Sequence, residues 1–79
     1  MKELSREELQ LMFNRVGWSS EGLIAVQKDN KCFHIRPDGT PAYKERYERV
    51  GDFVNGIAWV LKVEKWVRIK KDGTIVVIQ

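Results

Sequence analysis

The residues best suited to covalent chemistry in this sequence are Cys32 and His34, a thiol and an imidazole two positions apart. A cysteine and a histidine can act as nucleophile and general base, but they need a third group that orients the base, and the sequence places none. They are also the one cysteine and the one histidine of the chain, so an internal disulfide is excluded and no Cys or His cluster with metal-ligand spacing exists. We therefore expect no enzyme activity and no metal or cofactor, and His34 reads as a structural or surface residue.

A second group of candidates combines aromatic and basic side chains, which can stack on a nucleobase and neutralise its phosphate. This candidate binding face consists of Trp59, Trp66, Arg68 and Lys70, with His34 and Arg36 at the equivalent places earlier in the chain. The competing interpretation is that Trp59 packs under a helix, or lies under the Arg68 stem in a cation–π pair worth roughly 0.5–1 kcal/mol. We favour partial burial, because a domain of 79 residues needs its large aromatic side chains for its core.

Both groups lie in a stretch that the chain contains twice. Residues 13–43 align without a gap onto residues 47–77 at a fixed offset of 34, and 11 of the 31 positions are identical. The identities include every glycine of both copies and both Asp-Gly-Thr turns, so the copies are predicted to share backbone geometry. The sequence indicates one domain over residues 1–79, built from repeat one (13–43) and repeat two (47–77).

A short helix is predicted at the start of the domain, over about residues 6–16. Ser5 and Glu8 have the spacing of a capping box, and Gly17 is well placed to end the helix. One stripe of apolar side chains follows the helical period, namely Leu9, Met12, Phe13 and Val16. A partner-binding or membrane-surface helix is less favoured than a core-packing one, because the segment has few basic residues.

The hydrophobic period changes to two after the helix, which predicts strands. A tight turn at 29–30 places Val26 opposite Phe33, and the last strand places Ile69 opposite Val76. The third strand of repeat one should be short, since two prolines flank it. The predicted strands cover 23–28, 31–36 and 40–43 in repeat one, and 57–63, 65–71 and 74–78 in repeat two.

One helix followed by two repeated three-stranded antiparallel meanders predicts a mostly β (α+β) domain. The meanders either pack face to face as a sandwich, or join into one small curled sheet or barrel with the helix over an open end. Because each unit of a repeat fold borrows burial from its neighbour, we expect the N-terminal helix to act as a cap.

The composition is that of a soluble globular protein, with 43% hydrophobic and 32% charged residues. Neither the apolar runs nor the charge blocks are long enough for a membrane span or a disordered tail. The polar start MKELSREELQ argues against a signal peptide, so a cytoplasmic location is expected. A net charge of +3 is compatible with nucleic-acid binding without requiring it.

Four short motifs follow one another in repeat two: YERV at 47–50, FVNGIAWV at 53–60, KWVRI at 65–69 and DGTIVV at 72–77. This order resembles the WG (KWG) repeat of many bacterial proteins, in which a Tyr-acidic-x-Val segment precedes an "EGLA.V" strand, a "KWGFID" strand and a closing strand. Val67 replaces the signature glycine, and Cys32-Phe33 replaces Trp-Gly, so the first copy is degenerate. The resemblance implies a β-hairpin repeat used in interaction roles, and it supplies no catalytic residues.

Together these observations favour a small non-catalytic module that works by protein–protein interaction, including self-association. A short repeat array leaves strand edges that can pair with a partner. The candidate pairing edge is the last strand, formed by Ile75, Val76, Val77 and Ile78. The alternative is a nucleic-acid-binding protein that uses the basic aromatic face of the second meander.

Overall fold

The computed structural model describes residues 2–76. Its elements are α1 (Arg6–Met12), β1 (Arg15–Ser20), β2 (Leu23–Lys28), β3 (Lys31–Ile35), β4 (Arg49–Val50), β5 (Ile57–Lys62) and β6 (Lys65–Lys70). The strands form two three-stranded antiparallel sheets, in the orders β1-β2-β3 and β4-β5-β6. The predicted mostly β fold with one N-terminal helix is confirmed, and the sheets do not close into a barrel.

Helix α1 begins at the predicted capping box and ends earlier than predicted. The Ser5 hydroxyl accepts a hydrogen bond from the Glu8 N–H at 3.1 Å, and the Glu8 carboxylate accepts one from the Ser5 N–H at 2.8 Å. Phe13 already has an extended backbone (φ −127°, ψ 153°), and its N–H bonds to the Leu9 carbonyl. The predicted helix end near residue 16 is wrong, because Val16 lies in β1, where strand pairing replaces helical hydrogen bonds.

The two hairpins form in the predicted registers. In β2 and β3, Val26 lies opposite Phe33, and in β5 and β6, Trp59 lies opposite Arg68. Both connections are two-residue turns with positive φ at each residue, 53° and 67° at 29–30 and 47° and 63° at 63–64. Positive φ at both central residues matches the turn to the right-handed twist of the strands.

The third strand of each sheet precedes the hairpin, whereas the sequence predicted it after the hairpin. As far as the structure describes the chain, to residue 76, each predicted closing strand is a single bridge, Ile35 to Pro41 and Ile69 to Ile75. The predicted pairing of Ile69 with Val76 is therefore wrong by one residue. Pro41 lacks an N–H and limits the ladder of repeat one to this short contact.

The sequence repeat is also a repeat of hydrogen bonds. Equivalent backbone bonds occur at an offset of 34 in the two copies: Asn14 N–Gln27 O (2.8 Å) and Glu48 N–Leu61 O (3.0 Å), Arg36 N–Thr40 O and Lys70 N–Thr74 O (both 2.8 Å), and Ala42 N–His34 O (3.0 Å) and Val76 N–Arg68 O (2.8 Å). Each copy is thus the same supersecondary unit, which makes a position-by-position comparison of their surroundings meaningful.

The units follow one another along an elongated molecule of 41 × 24 × 18 Å. Helix α1 packs on the first unit, where Leu4 and Leu9 come close to the turn at Gly39. The segment 43–53 joins the units and contributes the buried side chains Tyr43, Tyr47 and Phe53 to one continuous core. Among residues 2–76, no helix is long and apolar enough to cross a membrane.

Candidate functional site

The two units meet at a junction that is held by backbone and side-chain hydrogen bonds. At the N-terminal end of β3, Cys32 and Tyr47 exchange two backbone hydrogen bonds, of 2.7 Å from the Cys32 N–H and 2.9 Å from the Tyr47 N–H. The segment that leads into repeat two therefore extends the sheet of repeat one by one residue pair before it joins its own sheet at Arg49.

His34 lies at the centre of this junction and is only 1% exposed. Its Nε2 lies 2.7 Å from the Gly51 carbonyl, which can only accept, so Nε2 carries the proton and Nδ1 accepts from the Tyr43 hydroxyl at 2.6 Å. The Phe53 ring packs edge-on at 4.5 Å between centroids. Burial lowers the pKa of His34, although the Gly51 carbonyl and Asp52 oppose the shift, and burial raises the pKa of Tyr43.

The placement of His34 on an exposed binding face is therefore wrong. The physical reason is that residues 47–53 fold over this side of the first sheet, a non-local contact that the local sequence does not encode. The histidine is neutral, and both of its ring nitrogens are used in holding the two units together.

The thiol and the imidazole do not form a catalytic pair in this geometry. The Cys32 thiol donates to the Glu48 carbonyl at 3.5 Å, and burial raises its pKa, which keeps the thiol protonated. The His34 ring is occupied by Tyr43 and Gly51. No group of three or more His, Cys, Asp or Glu side chains in the described part of the chain could hold a metal ion.

Glu21 adds a polar contact between the units. Its carboxylate accepts hydrogen bonds from the backbone N–H groups of Asn55 and Gly56, and Lys71 lies 3.6 Å from it. The hydrogen bond from Gly56 is the largest cause of the lowered pKa of this carboxyl group. A side chain of the turn in repeat one thus holds the equivalent turn of repeat two.

The second sheet carries two of the three tryptophans, Trp59 and Trp66. One groove is lined by Trp59, Trp66, Val67, Arg68, Ile75 and Val76, which we call the open face. Trp59 is 52% exposed, Trp66 51% and Ile75 43%, so these side chains are not core residues. The packing of Trp59 under the helix is wrong, while the surface cation–π alternative is realised, since the Arg68 guanidinium lies 5.4 Å from the Trp59 ring centre.

The other candidates lie apart from this groove or at its edge. The Arg36 guanidinium donates a hydrogen bond to the Pro41 carbonyl at 2.8 Å, so this side chain contacts repeat one. Lys70 is exposed on β6, two residues beyond Arg68. Of the candidate pairing edge, Ile75 and Val76 lie alongside β6, while residues 77 and 78 fall outside the described part of the chain.

The backbone N–H and C=O of Trp66 point away from β5, the strand with which β6 pairs. The carbonyl of Leu61, which lies opposite Trp66, bonds to Glu48 on the β4 side, so these two residues form a non-hydrogen-bonded pair. The equivalent residue in repeat one is Cys32, whose backbone groups point outward to Tyr47. Within residues 2–76, nothing takes the place of Tyr47 beside Trp66.

The opposite end of the molecule is closed by α1. The Arg6 guanidinium donates to the carbonyls of Val16 and Gly17, both at 2.7 Å, and stacks 3.8 Å above the Trp18 ring. Gly17 is the repeat-one equivalent of Gly51, the glycine that accepts from His34. The helix therefore makes for repeat one the contact that repeat one makes for repeat two, which agrees with its expected capping role.

The fold defines a short β-hairpin repeat array in which α1 packs against the first unit. The family model described as "WG containing repeat" matches the chain twice, at residues 8–32 and 35–66. The chain belongs to the WG-repeat family. Searches among curated proteins and among solved structures returned no match for it.

Proposed function

We propose that this protein is a non-catalytic binding module that holds a protein partner on the open face of repeat two. One observation carries the proposal. In repeat one the equivalent side holds His34 at 1% exposed, whereas the open face exposes about half of Trp59 and of Trp66. Two half-exposed indoles beside an arginine form a surface that is suited to receive another polypeptide.

The chemistry of the open face supports a protein ligand. Tryptophan and arginine are enriched among residues that dominate binding energy, and clustered exposed hydrophobic side chains mark interaction sites. The outward N–H and C=O of Trp66 can pair with an incoming extended segment, which is recognition by strand addition.

The proposal is tested by selecting displayed random peptides on the folded domain. Enriched peptides should bind Trp66→Ala or Arg68→Glu at least tenfold more weakly, because each change removes a contact on the open face. Trp18→Ala is the matched control, since Trp18 is 72% exposed and lies beside Arg6 at the other end. The proposal fails if no peptide is enriched, or if the two open-face variants bind as well as the control.

A second candidate function is single-stranded nucleic-acid binding on the same face. The observation that favours it is the pairing of an exposed indole, Trp59, with Arg68 at 5.4 Å and with the exposed Lys70 nearby. Mixed-sequence single-stranded DNA and RNA should then quench tryptophan fluorescence at low salt and lose affinity steeply as salt rises. Quenching that is absent, or that Arg68→Glu leaves unchanged, excludes this candidate.

A further inference from the structure

We infer that this protein has a second binding site, a groove on repeat one that takes a small phosphate monoester of an apolar or aromatic alcohol. The groove, which we call the basic groove, has a volume of about 400 Å³, as expected for a small-molecule site. The residues that carry the argument line it from the end of α1, the hairpin of β2 and β3, the turn after β3 and the segment that joins the units: Met12, Lys28, Asp29, Lys31, Pro41 and Arg46. The basic groove shares no lining residue with the open face, so the inference does not rest on the proposed function.

The charge of the basic groove favours a phosphate ester. Three cations, Lys28, Lys31 and Arg46, and one carboxylate, Asp29, give its lining a net charge of +2. Within residues 2–76, none of the three cations forms a salt bridge with a carboxylate. A phosphate monoester carries a charge of about −1.5 to −2 at pH 7, which matches this lining, whereas a single carboxylate would neutralise only half of it.

The two lysines of the basic groove repel each other. Lys28 and Lys31 lie directly opposite each other in the antiparallel pair of β2 and β3, on either side of the turn at 29–30, and both are exposed. Like charges in directly opposite positions destabilise a sheet. An anion in the groove would offset this repulsion, so a bound ligand should also raise the stability of the domain.

The guanidinium of Arg46 is held in place by the protein itself. Its Nη1 donates to the carbonyls of Tyr43, Lys44 and Glu45 at 3.3, 2.9 and 3.1 Å, and it lies 3.7 Å above the centre of the Phe33 ring. These contacts leave Nε and Nη2 without an acceptor in the part of the chain that the structure describes. The two nitrogens form the planar fork that fits two oxygens of a phosphate. Because the side chain is already ordered, it loses little conformational entropy when a ligand binds.

The remaining lining of the basic groove is apolar, which favours an ester over inorganic phosphate. Phe13 and Phe33 pack edge to face with 5.9 Å between their ring centres, and both are buried, so they form a fixed floor. Met12 is 45% exposed and lies with Pro41 at the same groove. The organic part of a phosphate ester can cover this apolar surface, which stabilises the complex in proportion to the area removed from water.

The probe is phenyl phosphate, titrated into the full chain and followed by amide chemical shifts in NMR. It should give saturable shifts at Lys31, Gly39 and Arg46, with a Kd of about 1 mM or below. The indole N–H signals of Trp59 and Trp66 should stay unchanged, which separates this site from the open face. Inorganic phosphate should bind at least tenfold more weakly, because it has no apolar part.

Two changes in the protein test the cations. Arg46→Gln should weaken binding of phenyl phosphate about tenfold or more, as expected for lost hydrogen bonds to a charged group. Lys28→Gln/Lys31→Gln should weaken binding to a similar extent and should abolish the rise in Tm that phenyl phosphate gives the unchanged protein. The matched control is Lys62→Gln/Lys65→Gln, which removes the same charge from the equivalent opposed pair of the second hairpin and should leave binding unchanged.

Circular dichroism checks that each variant folds, and the lysine variant keeps the test decisive if Arg46→Gln disturbs its own segment. The inference is overturned if phenyl phosphate gives no saturable shifts, if inorganic phosphate binds as tightly, or if the lysine variant binds as well as its control. A short phosphotyrosine peptide that binds at least tenfold more tightly than phenyl phosphate would overturn the choice of a free small molecule.

Discussion

The hydrogen bond between Tyr43 and His34 lends itself to a direct test of the junction. Tyr43→Phe removes the hydroxyl that donates to His34 Nδ1 at 2.6 Å and changes little else. His34 is 1% exposed and Tyr43 7%, so water cannot readily replace the lost donor. A buried acceptor that is left unpaired costs about 1–3 kcal/mol.

That cost is large for this domain. At about 0.05–0.15 kcal/mol per residue, a protein of 79 residues has a free energy of unfolding of about 4–12 kcal/mol. A loss of 1–3 kcal/mol should lower Tm by about 4–8 °C for each kcal/mol in a domain of this size. Urea unfolding followed by tryptophan fluorescence and by circular dichroism measures the change, and the m value should stay constant.

Tyr47→Phe is the matched control. Tyr47 is also buried, at 3% exposed, but its hydroxyl makes no hydrogen bond with residues 2–76. Its removal should change the free energy of unfolding by no more than about 0.5 kcal/mol. The reasoning is refuted if Tyr43→Phe is as mild as the control, or if both variants lose the same stability.

Three further results are expected. Replacing Val63-Glu64 by Asn-Gly should raise the free energy of unfolding by about 1 kcal/mol, because the β-branched Val63 is strained at φ 47°. The same exchange at 29–30 should raise the free energy of unfolding by less, and an equal increase would contradict the strain argument. Because folding lowers the pKa of His34, the unfolded chain binds one more proton than the folded chain at mildly acidic pH. The free energy of unfolding, measured with urea, should therefore fall as pH drops from about 7.5 to 5.5, by at most about 1.4 kcal/mol per pH unit. A flat or rising profile would show that the histidine is not buried as a neutral group. The hydrogen bond from the Gly56 N–H lowers the pKa of the Glu21 carboxyl, so NMR titration should place it below that of the same residue in the unfolded chain, and an equal or higher pKa would mean that it does not hold the next turn.

The sequence predicted the hairpins well because their signals are local. The pair Asp29-Asn30 tolerates positive φ, and alternation on either side places Val26 opposite Phe33. It did not predict β1, since the segment RVGWSS has no clean alternation and the pairing slips by a bulge between Val16 and Ser19. Val16 has the spacing of the apolar stripe of α1 although it lies in β1, and this coincidence made the predicted helix too long.

The candidate site could be predicted only in part, because its two halves depend on non-local contacts. His34 and Arg68 are equivalent in sequence, yet His34 is buried by residues 47–53 and Arg68 lies partly exposed on the open face. A signal for this difference was present in the aligned copies, where Cys32 becomes Trp66. Only the path of the chain shows that residues 47–53 cover repeat one at His34.

Amide hydrogen exchange of Trp66, resolved by NMR, tests the central claim most directly. In the free protein the Trp66 N–H should exchange rapidly, while the Cys32 N–H, bonded to Tyr47 at 2.7 Å, should be protected. Saturation with a displayed peptide selected on the open face should raise the protection of the Trp66 amide toward that of Cys32. A Trp66 amide that is protected before the peptide is added, or unprotected when it is bound, would contradict the proposal that the open face binds a protein segment by strand addition.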